Sequence, residues 1–316
     1  MASDPPRAAV VDVGSNTIKI LAGEKGPAGP RVLLDRSAEC RISRGMYADP
    51  PRFTREAMEE AVEAIRALLA EAKPLEPRVV EILSTSAVRD ASNRDDFVRL
   101  VALRCGHPLH VLTGREEAEG IARGVAEEPG LSRDSDYTVT DLGGGSLEWI
   151  HSERGEVRDM ASLDLGAVRL LDRFVPDPGA PLSPGRRSRL RDHCAAAFAA
   201  TLPALPKNPG RSNWGTGGAF TIARLLLATE NGVELREQPQ EIALEDLVRL
   251  ADRLSALPLA ERRAYPGLPA TRADILPVAL TIIEALAEYT RARSFRHSFC
   301  NLRMGRLARV LESLEA

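Results

Sequence analysis

The spacing of apolar residues in the first half of the chain alternates between the period of strands and that of helices. Residues 8–22 form an apolar run, a glycine turn and a second apolar alternation, which predicts two strands joined in a hairpin. Apolar residues recur at helical spacing over 54–72, and Thr54 suits the start of a helix. Because strands alternate with helices, at least part of the sheet is predicted to be parallel. The other predicted elements of this half are strands at 79–83 and 109–114 and helices at 95–106 and 115–126.

The second half of the chain repeats the opening pattern after a segment rich in turn-forming residues at 127–136, where we expect a hinge between domains. The residues that follow predict a strand, a glycine turn, a strand, a turn and a strand. Alignment with the opening hairpin places Asp12 against Asp141 and Gly14 against Gly143, which indicates a weak internal repeat. The remaining predicted elements are helices near 183–202, 218–229, 244–255, 272–290 and 302–314 and a strand at 211–214.

Length and composition exclude several classes of protein. The 316 residues suggest two domains, at roughly 150 residues each. A net charge of -3 and an aromatic content of 4% argue against a nucleic-acid-binding surface, so any positive potential for an anion must be local. The four cysteines are scattered, no apolar run is long enough to span a membrane, and the N-terminal residues lack the pattern of an export leader. We therefore expect a cytoplasmic protein with neither membrane nor nucleic-acid partners.

Two acidic residues are each followed by a glycine turn. Asp12 precedes Gly14, Ser15, Asn16 and Thr17, whose backbone N–H groups and hydroxyls could face an anion while the carboxylate holds a cation. For this motif alone, an ordinary hairpin turn is the simpler interpretation. The second turn repeats the chemistry with three consecutive glycines, which remove every Cβ that would keep a phosphate from the backbone. This second motif runs from Asp141 through Gly143, Gly144, Gly145 and Ser146 to Glu148.

A third glycine loop, Trp214–Gly218, stands between a predicted strand and an apolar helix. Amide groups and the macrodipole at a helix N-terminus favour anions, although the spacing does not match a dinucleotide-binding loop. Three residues could be interpreted as ligands of a rival zinc site: Cys105, His107 and His110. We do not favour it, because strand alternation would point the two histidines in different directions and no fourth ligand is placed. The isolated histidines are expected on surfaces or helix flanks: His151, His193 and His297.

Seven stretches, in order and over nearly the whole chain, resemble the exopolyphosphatase and guanosine pentaphosphate phosphohydrolase (Ppx/GppA) family of the actin-like ATPase superfamily. They are DVGSNTIKI, STSAVRDASN, LTGREEAEGIARGV, DLGGGSLEW, SLDLGAVRL, GTGGAF and LPATRADILP. The resemblance, to the short two-domain members, implies an α/β protein with two actin-like (ribonuclease H-like) domains and an active-site cleft between them. The expected domains are 1–127 and 128–295, with a C-terminal helix within 296–316 that can return to the first domain.

The same resemblance implies a role for each matching residue. Glu117 is the expected general base. Four other acidic residues are expected to be solvated: Glu116, Glu119, Glu127 and Glu128. Without the resemblance, Glu117 could not be chosen over Glu116. Asp12, Asp141 and Glu148 are the expected ligands of Mg²⁺ or another hard divalent cation. The expected phosphate-binding residues are Gly14, Ser15, Asn16, Thr17, Lys19, Arg89, Gly143, Gly144, Gly145, Ser146, Gly215, Gly217 and Gly218.

Four positions depart from the family pattern without removing an acidic site residue: Lys19, Leu147, Ala219 and Met304. The implied activity is hydrolysis of the terminal phosphoanhydride bond of inorganic polyphosphate, which releases orthophosphate. Three alternatives stay open: hydrolysis of guanosine pentaphosphate, a small-molecule kinase of the same superfamily, and a protein that binds polyphosphate or alarmones without turnover. A homodimer is a further open alternative.

Overall fold

The computed structural model of this chain describes residues 5–27, 29–43, 46, 50–132, 134–205 and 210–314. Residues 1–4, which open the segment expected to lack an export leader, lie outside this set. The chain divides into two compact units: unit 1 comprises Met1–Leu131 and Cys300–Ala316, and unit 2 comprises Ser132–Phe299. Among the described residues, every helix is too short or too polar to cross a membrane.

Unit 1 is built on a five-stranded sheet. In the order β3-β2-β1-β4-β5, the first three strands are antiparallel, and β1, β4 and β5 are parallel neighbours, as the alternation of strands and helices predicted. The pattern did not predict β3, because this edge strand is mostly solvated and has no continuous apolar face. The strands are β1 (Arg7–Val13), β2 (Thr17–Gly26), β3 (Gly29–Glu39), β4 (Val79–Ser84) and β5 (Leu109–Val111).

Helices cover the core of unit 1. The first begins after Thr54, whose side chain accepts a hydrogen bond from the Ala57 N–H at 3.1 Å, and it buries Ile65 and Leu68 against the sheet. A short helix that was not predicted follows β4 and carries Arg89. The helices are α1 (Arg55–Ala72), α2 (Ser86–Asp90), α3 (Arg94–Cys105) and α4 (Gly114–Val125), with a 3₁₀ turn at Lys73–Leu75.

Unit 2 repeats the strand plan of unit 1. Its sheet has the order β10-β11-β9-β6-β7-β8, in which β6, β7 and β8 are antiparallel and β6, β9 and β11 are parallel neighbours. Removal of the edge strand β10 leaves the same order and directions as in unit 1, so the predicted internal repeat is confirmed. The strands are β6 (Tyr137–Leu142), β7 (Leu147–Glu153), β8 (Glu156–Leu163), β9 (Ser212–Thr216), β10 (Glu241–Ala243) and β11 (Ser294–His297).

One nearly fully buried helix, α10, packs against α6 and α8 in unit 2. It begins at Leu276 rather than at 272, because Pro277 suits the first turn of a helix and a 3₁₀ turn precedes it. Four short elements of this unit were not predicted: α5, α9, β10 and β11. The helices are α5 (Ala167–Phe174), α6 (Pro184–Thr201), α7 (Gly218–Asn231), α8 (Leu244–Ala256), α9 (Leu259–Arg263) and α10 (Leu276–Thr290), with the 3₁₀ turn at Ala270–Arg272.

The last helix, α11 (Leu302–Ser313), packs on α4, β1 and β2 in unit 1. Its backbone crosses that of α4 at three glycines. A Cβ on Gly124 would overlap the carbonyl oxygen of Asn301, and a Cβ on Gly305 would overlap that of Gly120. Because both obstacles are backbone atoms, no side-chain rotation can relieve the overlap.

We therefore expect Gly305→Ala to lower the free energy of unfolding by about 1–3 kcal/mol or more, the usual cost of overpacking a close contact. Gly185→Ala is the matched control, because it lies in α6 with no atom within 4 Å of the added Cβ. Chemical denaturation of both variants measures the difference. Equal stability of Gly305→Ala and the native chain would contradict the close crossing of α4 and α11.

Three residues expected at the surface are buried instead: His151, His297 and Glu128, the last in the turns that follow α4. His297 is fully enclosed at the end of β11, where its ring contacts Thr221 and Arg224. Burial, with the nearby Arg224 charge, lowers the pKa of His297 from 6.5 to about 4. The folded state therefore binds a proton on this ring less tightly than the unfolded state does.

This difference predicts an acid-dependent loss of stability. Above pH 6.5 the ring is neutral in both states, and His297 does not affect the free energy of unfolding. As the pH falls toward about 4, protonation of the unfolded state lowers the free energy of unfolding by up to about 3 kcal/mol. The free energy of unfolding, measured by denaturation at several pH values, should therefore fall less steeply between pH 6.5 and 4 for His297→Gln than for the native chain. Parallel pH profiles of the two proteins would show that His297 titrates normally.

Candidate active site

The predicted site residues of each unit lie at the carboxyl ends of neighbouring parallel strands. In unit 1, Asp12 is near the end of β1, Arg89 follows β4 and Glu117 follows β5. In unit 2, Asp141 is near the end of β6, and the loop Gly215–Gly218 spans the end of β9 and the start of α7. Ligand sites of open α/β sheets occur at this edge.

The first glycine turn is held from one side. The Ser15 carbonyl accepts hydrogen bonds from the backbone N–H of Ser43 at 3.2 Å and from its hydroxyl at 2.9 Å, and the Asn16 carbonyl accepts one from the N–H of Cys40 at 3.2 Å. In a planar trans peptide, the C=O of one residue and the N–H of the next point in opposite directions. The N–H groups of Asn16 and Thr17 therefore point away from the bracing segment.

The second glycine turn is held in the same way by the first turn of α5. The Gly143 carbonyl accepts from the N–H of Ala167 at 3.0 Å, and the Gly144 carbonyl accepts from the N–H of Val168 at 2.8 Å. The Gly145 carbonyl accepts from Nε of Arg169 at 2.7 Å. The N–H groups of Gly144, Gly145 and Ser146 consequently point away from α5, as an anion cradle requires.

The two turns also share an internal hydrogen bond. The N–H of Gly14 donates to the Thr17 carbonyl at 3.2 Å, and the N–H of Gly143 donates to the Ser146 carbonyl at 3.0 Å. Close approach of α5 to the second turn depends on Gly166, because a Cβ there would overlap the backbone of the adjacent glycines. The internal repeat thus extends from strand order to the geometry of the turns.

Sequence reasoning missed three residues that support the second turn: Ser162, Gly166 and Arg169. All three lie in the stretch SLDLGAVRL, which contributed to the family resemblance without any role being assigned to it. The glycine before an apolar helix and the arginine three residues later were a signal that could have been used.

Buried polar atoms at the first turn lack partners within the protein. Oδ1 of Asp12 and both amide atoms of Asn16 are buried, and among the described residues none of these atoms has a hydrogen-bond partner. Burial raises the pKa of Asp12 above its ordinary value, and the charges of Lys19 and Arg303 partly oppose that shift. Because buried polar groups are normally satisfied, these atoms fit a bound cation, phosphate or water.

Asp141 and Glu148 face each other across the β6–β7 hairpin in the strand register. Glu148 is almost fully buried and accepts a hydrogen bond from the Ser162 hydroxyl at 2.7 Å. Asp141 lies against the third glycine loop, since a Cβ on Gly217 would be 2.6 Å from Oδ1 of Asp141. Gly217 has a φ of 91°, which also favours glycine, and as the N-cap of α7 it leaves the first helical N–H groups without a side-chain cap.

The structure separates the neighbouring carboxylates Glu116 and Glu117. Glu116 is exposed and completes a capping box with Thr113, whose N–H and hydroxyl both donate to it at 2.8 Å and hold its pKa below the ordinary value. Glu117 is only 6% exposed and accepts a hydrogen bond from Nη1 of Arg89 at 3.2 Å. The same guanidinium nitrogen donates to the Leu112 carbonyl at 2.9 Å. Glu117 is thus the carboxylate held beside another predicted site residue.

Within the part of the chain that the structure describes, no group of three or more His, Cys, Asp or Glu side chains is arranged to hold a metal ion. Asp12, Asp141 and Glu148 nevertheless suit Mg²⁺ chemically, because this ion keeps several waters and commonly uses one or two carboxylates together with substrate phosphates. At the rival zinc pattern, burial raises the pKa of the Cys105 thiol, which opposes the thiolate form that zinc requires.

The departures from the family pattern fall in different environments. Lys19 is the cross-strand neighbour of Asp12, so its charge acts directly on that carboxylate. Leu147 is fully buried, Ala219 lies in the first turn of α7, and Met304 is half-buried in α11. These four positions leave the backbone bonds of both turns in place.

Two units with one strand plan, each carrying an acidic residue before a braced glycine turn, define an actin-like phosphate-handling protein. The Ppx/GppA phosphatase family model matches residues 21–314, and the chain belongs to this family. The predicted family is thereby confirmed.

Individual relatives agree with this assignment. The chain is 31% identical over 304 residues to Exopolyphosphatase 2 of Mycobacterium tuberculosis, covering 91% of this chain and 92% of the relative. It is 26% identical over 293 residues to the guanosine-5'-triphosphate,3'-diphosphate pyrophosphatase of Vibrio vulnificus, covering 91% of this chain but 56% of that longer protein.

Solved structures confirm the predicted actin-like α/β fold. A crystal structure of an exopolyphosphatase from Cytophaga hutchinsonii has a TM-score of 0.88 and 26% identity, and the match covers 97% of this chain and 98% of the other. The crystal structure of the Aquifex aeolicus member of the Ppx/GppA family has a TM-score of 0.80 and 19% identity, and the match covers 98% of this chain and 99% of the other. At this identity the match supports only the fold.

Proposed function

We propose that this protein is an exopolyphosphatase, which hydrolyses the terminal phosphoanhydride bond of inorganic polyphosphate and releases orthophosphate. The observation that carries the proposal is the pair of glycine turns whose N–H groups are directed outward by bonds to their carbonyls. Family membership and the similarity to Exopolyphosphatase 2 support it. A cytoplasmic location and a homodimer remain predictions.

In the proposed mechanism, backbone amides bind the non-bridging phosphate oxygens. The outward N–H groups of the two turns and the N-terminus of α7 supply these donors without reorganisation, because the preceding carbonyls and the helix are already fixed. In the turns, these donors are the N–H groups of Asn16, Thr17, Gly144, Gly145 and Ser146. Lys19 and Arg89 add positive charge, and the planar guanidinium of Arg89 can donate to two oxygens at once. The terminal phosphoryl group is thus oriented before water attacks it.

Glu117 acts as the general base in this proposal. Its carboxylate accepts a proton from a water molecule while the water oxygen forms a bond to the terminal phosphorus. The bond from that phosphorus to the bridging oxygen breaks, and the shortened chain leaves with the electron pair. The hydrogen bond from Arg89 fixes the orientation of the Glu117 carboxylate.

Asp12, Asp141 and Glu148 would hold Mg²⁺ or another hard divalent cation. When bound, the ion would neutralise charge on the phosphate oxygens. Oδ1 of Asp12 is buried and has no hydrogen-bond partner among the described residues, which makes this carboxylate the best-supported ligand of the three.

The alternatives make different demands on the same site. Hydrolysis of guanosine pentaphosphate would use the same turns and Glu117, and the longer Vibrio vulnificus relative carries that kind of name. A kinase would transfer the phosphoryl group of ATP to an acceptor, and a binding protein would retain the ligand unchanged. Orthophosphate release with excess polyphosphate and no acceptor distinguishes the hydrolases from the other two.

We expect Glu117→Gln to lower kcat for polyphosphate by about 10² to 10⁴, the range for loss of a general base, with binding retained. Glu116→Gln is the matched control, because glutamine at this position preserves the capping box. Steady-state orthophosphate release measures both variants. Native turnover in Glu117→Gln with a large loss in Glu116→Gln would reverse the assignment of the base.

Hydrolysis should require a hard divalent cation, since the proposed ligands are carboxylate oxygens. Activity should disappear in excess chelator and return with Mg²⁺, and Zn²⁺ should not substitute through Cys105 and His110. Elemental analysis provides an independent readout. Full activity in chelator, or stoichiometric zinc in the purified protein, would refute this part of the proposal.

Short polyphosphate should be preferred over guanosine pentaphosphate, because the turns, Lys19 and Arg89 account for a row of phosphates and, among the described residues, no feature accounts for the guanine base. Long chains should bind less well than short ones. Binding should weaken as salt rises, since the net charge of -3 leaves only local positive potential to capture a polyanion. Comparison of kcat/KM for the three substrates decides this; a preference for the nucleotide would select the alternative hydrolase.

A further inference from the structure

A buried hydrogen-bond network in unit 2 ends at the third glycine loop. The Thr221 side-chain oxygen lies 3.0 Å from the Gly217 carbonyl and 3.0 Å from Nε2 of His297. Nδ1 of His297 lies 3.4 Å from Nη1 of Arg224, and Nε of Arg224 donates to the Gln238 carbonyl at 3.1 Å. Arg224 is 4% exposed, His297 is fully buried and Thr221 is half-buried, so the bonds of Arg224 to His297 and Gln238 are shielded from water.

Only one assignment of the hydrogens satisfies every pair in this network. A carbonyl can only accept, so the Thr221 hydroxyl donates its single hydrogen to Gly217. The Thr221 oxygen then accepts from Nε2–H of His297, which leaves Nδ1 as an acceptor for Arg224. The hydrogen bonds therefore run in one direction from Arg224 through a neutral His297 and Thr221 to Gly217.

Gly217 is a constrained position at the site. It has a φ of 91°, and a Cβ there would lie 2.6 Å from Oδ1 of Asp141 and 2.9 Å from the Leu142 carbonyl oxygen. Ser298, the residue that follows His297 at the end of β11, also binds this loop, because its N–H donates to the Gly215 carbonyl at 3.0 Å. Movement of the Gly217 carbonyl would therefore shift the N-terminus of α7 relative to Asp141.

We propose that Thr221, His297 and Arg224 are positioning residues that fix the loop Gly215–Gly218 and the N-terminus of α7 against Asp141 for phosphate binding. The proposal rests on the proposed function for its phosphate ligand. Its physical basis is preorganisation: donors held in place before the substrate arrives lose less free energy when they bind it. Apolar side chains of the same volume would fill this space without desolvating a guanidinium, but they would leave the Gly217 carbonyl with only the helical hydrogen bond from the Thr221 N–H at 3.2 Å.

Substitutions on α7 test the proposal with a control on the same helix. Thr221→Val removes the hydroxyl that links His297 to Gly217, whereas Thr221→Ser keeps it. Thr229→Val is the matched control, because the Thr229 hydroxyl makes the same kind of bond to the Leu225 carbonyl at 2.9 Å, away from His297. If Thr221→Val does not fold, His297→Leu and His297→Gln replace the pair, since glutamine can donate and accept at the same site.

We expect Thr221→Val to lower kcat/KM for short polyphosphate about tenfold, as loss of one organising hydrogen bond allows, with recovery in Thr221→Ser and native values in Thr229→Val. Hydrogen exchange of a peptide covering residues 214–222 should be faster in Thr221→Val than in the other three proteins. This second readout needs no activity.

The outcomes separate the network from the proposed function. Native kcat/KM and native exchange in Thr221→Val would overturn the positioning role, as would equal losses in Thr221→Val and Thr229→Val. If the unsubstituted protein releases no orthophosphate, the proposed function fails, and the exchange difference still decides whether the network holds the loop.

Discussion

A peptide group cannot direct its C=O and its N–H to the same side, and the proposed phosphate site depends on this constraint. In both hairpin turns the carbonyls are engaged from behind, by Ser43 and Cys40 in one case and by the start of α5 in the other. The N–H groups that follow them are then directed outward by covalent geometry. The start of α5 can approach the second turn this closely because its N-cap is a glycine, Gly166, where a Cβ would overlap the backbone of Gly144 and Gly145.

The acidic residues near the turns differ in the partners that they have within the protein. Asp12 keeps a buried oxygen without a partner in the described protein, beside the positive charges of Lys19 and Arg303. Glu117, by contrast, is paired with Arg89. In the proposed mechanism, the first carboxylate would bind a cation and the second, oriented by Arg89, would accept the proton. Burial makes both interactions stronger than they would be in water.

Much of this arrangement could be predicted from the sequence, because hydrophobic periodicity and glycine turns are local signals. The hairpin at 8–22 and the alignment of Asp12 with Asp141 both have direct structural counterparts. The solvated edge strand β3 and the short helix α5 could not be predicted, because one lacks an apolar face and the other is only eight residues long. Bracing of the turns is a tertiary interaction that no local pattern contains.

The choice between Glu116 and Glu117 shows the same limit. On a helix with an acidic face the two are equivalent in pattern, and only the resemblance favoured Glu117. The structure supplies the physical difference, since Glu116 caps the helix through Thr113 and Glu117 is buried against Arg89. Buried histidines were misjudged for a related reason: the partners of His297 come from other segments of the chain.

The central claim is that the outward N–H groups of the two turns bind phosphate oxygens. A crystal structure of Glu117→Gln with Mg²⁺ and a short polyphosphate tests it most directly, because this variant should bind the chain without consuming it. The account predicts phosphate oxygens within about 3 Å of backbone nitrogens in both Gly14–Thr17 and Gly143–Ser146. Polyphosphate bound elsewhere, with both turns contacted only by water, would contradict it.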